Sequence, residues 1–227
     1  MKTAFRVSGL VLAATAVMGV CAASRADTIV LGGSGWTASW DPSLDPYVDI
    51  QVDSYDGTEL VIQKTAEFVQ GPNAFGLFPT IPIVFRQTGP STLQSIVIAD
   101  EIITNSTGTD WTDFHFDLLD SGDAVFNHGP QFFFTTSPFD NQAFNAASTS
   151  FNVDGFGLGP GGSDALIPDG SSWFPGDGAS DGDLVIDVVG HAQAPFTVFT
   201  LKETPTPEPA TLALVAIAAA FLARRRR

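Results

Sequence analysis

The 227 residues are enough for one globular core with peripheral segments. The net charge of −15 comes from 25 acidic against 10 basic residues, and the bases are unevenly placed. Lys2, Arg6 and Arg25 precede Asp27, and Arg224, Arg225, Arg226 and Arg227 end the chain. Residues 27–203 therefore hold 24 acids against Lys64, Arg86 and Lys202, a net −21, which excludes nucleic acid as a partner because phosphate binding needs clustered cations. Twenty of the acids are Asp, and 19 Phe accompany 22 Gly, a composition of strands and turns rather than of an acidic disordered tail.

In chain order, Lys2 and Arg6 lead into an uncharged apolar run, Val7 to Val20, followed by Ala22-Ala23-Ser24-Arg25-Ala26. This is the plan of a secretory signal peptide over residues 1–26, with cleavage between Ala26 and Asp27 by signal peptidase after Sec-type export. The run is too short for a comfortable membrane anchor. Cys21, the only cysteine, leaves with this segment; Val20 before it is bulkier than a lipidation signal wants. The mature chain then has no thiol, so disulfides, thiolate catalysis and Cys-based zinc sites fall together.

From residue 27 to 203 short alternating runs are separated by Gly, Pro, Asn and Asp. Tyr47 to Ser54 places Val48, Ile50 and Val52 opposite Asp49, Gln51 and Asp53, and Asp56-Gly57 turns into a second strand, Glu59 to Val69. Ile81 to Arg86, Leu93 to Ile103, Trp111 to Leu119 and Ala124 to Asn127 continue the series, with Phe132 to Thr136 and Phe144 to Val153 as weaker runs. Asp183 to Val189 and Pro195 to Lys202 close it. No stretch holds a helical period over three turns, so the expected fold is all-β, an antiparallel β-sandwich of jelly-roll type, with a closed barrel as the alternative. Nine of the 29 residues from 154 to 182 are Gly and three are Pro, which predicts a long excursion between strands rather than core.

A Pro-rich linker, 204–209, marks the predicted end of the domain, since proline cannot continue a ladder. The apolar segment Ala210 to Ala223 would be helical in a bilayer, but its 14 residues cover only about 21 Å of a hydrocarbon core roughly 30 Å thick. Snorkelling arginines and local thinning make up the difference. The four terminal arginines predict a membrane-anchored precursor with a cytoplasmic carboxyl end and the domain outside.

Pro207-Glu208-Pro209, the apolar segment and the arginine cluster together resemble the PEP-CTERM sorting signal of bacterial exported proteins. The resemblance covers about 23 of the 227 residues. It implies recognition of the tail by an exosortase, a membrane-embedded cysteine protease-transpeptidase of bacteria that make exopolysaccharide or biofilm matrix. A tail of this kind is removable, so the mature protein need not keep a membrane span.

Three chemistries suggest themselves within the domain. In WTDFHFDLL, period two puts Phe114, Phe116 and Leu118 on one face and Trp111, Asp113, His115 and Asp117 on the other, so Asp113, His115 and Asp117 form a stripe of metal ligands about 7 Å apart that needs a neighbouring strand's help. Calcium is the ion an Asp-rich surface would take. Asp177, Asp181 and Asp183 form the nearest loop motif, though it lacks an oxygen ligand at Ala179 and a Glu at Val188 and is no EF-hand. Trp36, Trp40, Trp111 and Trp173 are candidates for stacking on the sugar rings of a polysaccharide, while the bland alternative makes them core or rim.

Catalysis has little support. His115, His128 and His191 fall in no metal-ligand pattern, and Ser34 and Ser163 are not framed as a nucleophile elbow. A glycan hydrolase with paired carboxylates is the remaining enzymatic alternative, and sequence names no pair. The expectation is an exported surface or matrix protein with a structural or adhesive role. A calcium-stabilised carbohydrate-binding module is the alternative.

Overall fold

Alternation of apolar and polar residues resolves into two stacked sheets. The structure is a computed structural model that describes residues 27–128, 139, 141–154, 166–175 and 183–207. Thirteen strands are described: β1 (Asp27–Val30), β2 (Trp36–Trp40), β3 (Val48–Tyr55), β4 (Glu59–Phe68), β5 (Ile81–Gln87), β6 (Ser95–Asn105), β7 (Trp111–Leu119), β8 (Ala124–Phe126), β9 (Asn141–Phe144), β10 (Ser150–Asp154), β11 (Ser172–Trp173), β12 (Leu184–Val188) and β13 (Val198–Pro207). The first sheet runs β1-β2-β5-β13-β7-β10-β9 and the second β3-β4-β6-β12-β8, with β11 paired to β6. All pairs are antiparallel except β4 with β6. Among the described residues the fold is thus an all-β sandwich rather than one closed barrel.

The inward residues of both sheets share one core. Phe199 and Leu201 of β13, Phe114 and Phe116 of β7 and Phe85 of β5 meet Leu60 and Ile62 of β4, Ile96 and Ile98 of β6 and Leu184 and Ile186 of β12, all with exposures near zero. Stacked and edge-on rings, such as Phe85 on Phe199 at 5.1 Å and Phe116 on Phe151 at 4.7 Å, account for much of the phenylalanine content. The Asp56-Gly57 hairpin forms as expected. Asp56 Oδ1 accepts from the Thr58 and Glu59 N–H groups, and Gly57 takes φ +102°, a region that disfavours any side chain.

Three expectations need correction. Phe144 to Val153 is a hairpin, β9 to β10, because Asn145 Oδ1 accepts from the Thr149 and Ser150 N–H groups and closes a turn. The stretch from 154 to 182 is partly core: Ile167 bridges Trp111, β11 pairs β6, and Ile167 and Trp173 are buried. The last correction concerns the end of the domain, since β13 does not stop at 203 but pairs with β7 through Pro207 opposite Trp111. It does so because β5 ends opposite Glu203, so Pro205 and Pro207 lie where β13 has only one neighbour and a missing N–H breaks no bond to β5. Phe132 to Thr136 and the helices expected at residues 1–26 and 210–227 lie outside the described residues.

Candidate functional sites

The most unusual chemistry lies in the core. On β4 the inward positions are Leu60, Ile62, Lys64, Ala66 and Phe68, so period two alone sends Lys64 inside. Glu101 arrives by a bulge: Gln63 opposes Ala99 but Lys64 opposes Glu101, leaving Asp100 as an extra exposed residue at φ +51°. The bulge shifts the inward phase of β6 from Ile96 and Ile98 to Glu101, Ile103 and Asn105. Glu203 comes from the facing sheet, in phase with Phe199 and Leu201. Lys64 Nζ lies 2.8 Å from each Glu203 carboxylate oxygen and makes an ion pair with Glu101, and the three side chains are fully buried.

Two carboxyls share one ammonium here. Burial pushes the Glu101 carboxyl up to about 8; attraction to Lys64 opposes this, and the nearby Glu203 carboxyl reinforces it. Desolvation pulls Lys64 down, but Glu101 and Glu203 outweigh it and hold the ammonium above its ordinary value. A protonated Glu101 beside the Lys64 ammonium spares a water-free core one buried charge. Sequence reasoning counted Lys64 among the domain's bases and missed this triad. The signal for Lys64 and Glu203 was their phase within β4 and β13, whereas the bulge hid Glu101.

On the outer face of the first sheet Asp113, His115 and Asp117 do share a stripe, half-buried between β13 and β10. His115 Nε2 sits 3.1 Å from Asp113 Oδ2, and Lys202 Nζ from β13 sits 2.8 Å from Asp117 Oδ2. The hydrogen bond to Asp113 raises the His115 pKa against partial burial, helped by the charges of Asp113 and Asp117. The neighbouring strand thus supplies a cation where a metal site needs oxygens, and the stripe is paired from within. Among the described residues no three His, Asp or Glu side chains come together as a metal site. Asp177 and Asp181 lie outside the described residues. The Asp183 carboxyl is raised by burial first and then by Asp100 and Glu59.

All four tryptophans are core. Trp36, Trp40, Trp111 and Trp173 are between 0 % and 5 % exposed, so none offers a ring face to a sugar. Trp36 Nε1 donates to Ser91 Oγ at 3.2 Å and Trp40 Nε1 to Asp45 Oδ1 at 3.0 Å. Trp111 leaves the polar face expected for it because β7 bulges at Thr112: Asp113 opposes Thr206 while Trp111 opposes Pro207. Its Nε1 donates to Thr107 Oγ1 at 3.1 Å, and Thr107 in turn donates to Asn105 Oδ1 at 2.7 Å. Asn105 Nδ2 donates to the Thr109 and Ile167 carbonyls, which closes a buried polar knot over residues 105–111.

A polar cleft of about 290 Å³ opens on the outer face of the second sheet. Tyr47 and Asp49, Thr65 and Glu67 of β4, and Ile102 and Thr104 of β6 line it. A smaller apolar cleft of about 110 Å³ adjoins it, and Tyr47 and Glu67 line both. Backbone bonds of 2.8 Å from Tyr47 N to Leu44 O and from Glu67 N to Tyr47 O fix the tyrosine at this border.

The carboxyl end supplies the remaining site. Pro205, Thr206 and Pro207 form the last rungs of β13 beside Phe114, Asp113 and Trp111, and the chain then passes to Glu208 and Pro209, outside the described residues. The family model described as the PEP-CTERM protein-sorting motif matches residues 205–227. No curated protein and no solved structure matches the chain. The motif marks an exported protein processed by an exosortase. It begins inside the fold, on a strand of the sandwich.

Proposed function

From the PEP-CTERM motif at the end of its last strand, we infer that this protein is a structural, non-catalytic component of the cell surface or the exopolysaccharide matrix, held at the membrane by its tail until the exosortase acts. The observation that carries this reading is the continuity of β13 with the motif. Over Thr200–Glu203 that strand is paired on both sides, with β5 and β7, and Glu203 is tied to Lys64 in the opposite sheet. A pull applied through the tail runs along β13 and loads its ladders to both neighbours in shear. That is the geometry of an anchor. The acidic surface supports the same role: with Lys64 withdrawn, Arg86 and Lys202 are the only bases of residues 27–203 outside the core. Such a surface keeps copies apart and soluble.

The reading has a direct test in the producing cell. Glu208→Ala should leave an unprocessed, membrane-retained form, whereas release at the unaltered rate would contradict it.

The polar cleft at Tyr47 favours a second reading, polysaccharide binding. Its tyrosine ring and its Thr, Asp and Glu side chains are the groups that hold a neutral glycan. Tyr47→Ala should weaken retention on neutral polysaccharides by roughly tenfold, the loss of one ring contact, and leave thermal unfolding in place. Unchanged retention would remove this reading.

A further inference from the structure

We propose that Lys64 and Glu101 condense into an intramolecular amide, with Glu203 carrying the proton, so that the folded domain seals itself with a covalent cross-link between β4 and β6. The reactive groups already touch. Lys64 Nζ contacts the Glu101 carboxyl and lies 2.8 Å from both oxygens of Glu203, and the three side chains are fully buried among Ile62, Ala66, Ile103 and Leu201 on their own strands. Groups held at reaction distance in a rigid core react as one molecule, with effective concentrations of about 10⁵–10⁸ M in well-oriented cases.

The protonation state of Glu101 also fits the step. An amine adds to a neutral carboxylic acid and not to a carboxylate, and burial keeps Glu101 in the acid form at neutral pH. In the reaction the Lys64 ammonium gives one proton to the Glu203 carboxylate. The freed nitrogen lone pair adds to the Glu101 carboxyl carbon. Glu203 passes its proton to the departing hydroxyl and takes one back from the nitrogen. The C–N bond forms, the C–O bond breaks and one water leaves. Glu203 ends protonated and hydrogen-bonded to the new amide. The cluster is neutral before and after, nothing is oxidised or reduced, and no co-reactant is required. The product replaces two buried charges by an amide, which removes the standing desolvation cost of the ion pair. The cross-link also suits a chain whose only cysteine, Cys21, lies in the predicted signal peptide, because no disulfide is available to it.

The wild-type protein is itself the test. Unfolded in denaturant, it should weigh less than its chain sequence by one water. Digestion should release a branched peptide joining Lys64 to Glu101, and the Lys64 amine should resist acylation. Lys64→Arg should restore the full mass, and Glu203→Gln should slow condensation by at least about tenfold, the usual contribution of a positioned proton carrier being larger. A full-mass wild-type chain with a free Lys64 amine would overturn the proposal. So would a link to Glu203 in place of Glu101, a water deficit that survives Lys64→Arg, or condensation in Glu203→Gln at the wild-type rate.

Discussion

Lys64→Met is expected to lower the unfolding free energy by at least about 3–5 kcal/mol, the usual cost of removing one partner of a buried ion pair. Lys64 is the only cation beside the two buried carboxyls among the described residues, and methionine fills its volume without neutralising them. Relative to molecules that have not condensed, the loss then comes from uncompensated carboxyls and not from a cavity. Lys64→Met combined with Glu101→Leu and Glu203→Leu should accordingly be more stable than the single variant, because well-packed apolar groups replace a buried polar set at little or no cost. Chemical denaturation of the two variants decides it, and a triple variant no more stable than the single would show that packing, not charge, sets the loss.

The same site has a pH signature in molecules that have not condensed. Glu101 carries a carboxyl raised from an ordinary 4.5 to about 8, so the unfolded chain gives up that proton first as pH rises. Its contribution to stability is fully present below about pH 4.5 and is lost as pH climbs through 8. Condensed molecules lack the titrating group and should lack this slope, which a comparison of unfolding at several pH values would show.

Trp111→Ala should cost about 3–5 kcal/mol, the range for emptying a buried Trp or Phe site. The indole is fully buried, with Phe68, Phe114 and Phe78 at centroid distances of 5.4, 5.8 and 6.5 Å. The variant also strands Thr107, whose hydroxyl accepts the indole N–H, and it hollows the core beneath the rung where Pro207 joins the ladder. A fall in melting temperature, with earlier proteolysis near the end of β13, is the expected result. A fold of unaltered stability that loses glycan binding would instead restore the sugar-stacking role.

What the sequence could show follows from where strict period two holds. It holds through β4, so the strand was legible from Glu59 onward, and with closer attention to phase so was the inward position of Lys64. It fails where one strand gains a residue. The bulges at Asp100 and Thr112 turn Glu101 and Trp111 into the core, and no alternation rule places either residue there. Pairing across the chain was equally hidden: Glu203 reaches Lys64 across 139 positions, and the sheet order that joins them depends on crossovers between distant strands. The Asp113, His115 and Asp117 stripe was legible as a face, but its chemistry depended on Lys202, which the final strand brings alongside. The prolines misled for a related reason, since a proline ends a ladder only where it has a partner on its N–H side. The sorting tail, by contrast, is read from contiguous residues and needs no fold to be recognised.

Continuity between β13 and the motif sets a condition on processing. Pro205 to Pro207 are paired with β7, so an exosortase that needs extended chain must work beyond Pro207 or peel the last rungs from Trp111 and Asp113. The doubly paired part of β13 and the buried Glu203 hold the rest of the strand in place while it does so.

The most direct measurement is the carboxyl-terminal peptide of the protein released from producing cells, identified by mass spectrometry. The released chain should retain β13 and lack both the apolar segment 210–223 and the cluster Arg224 to Arg227. A released protein that still ends in Arg227 would contradict it.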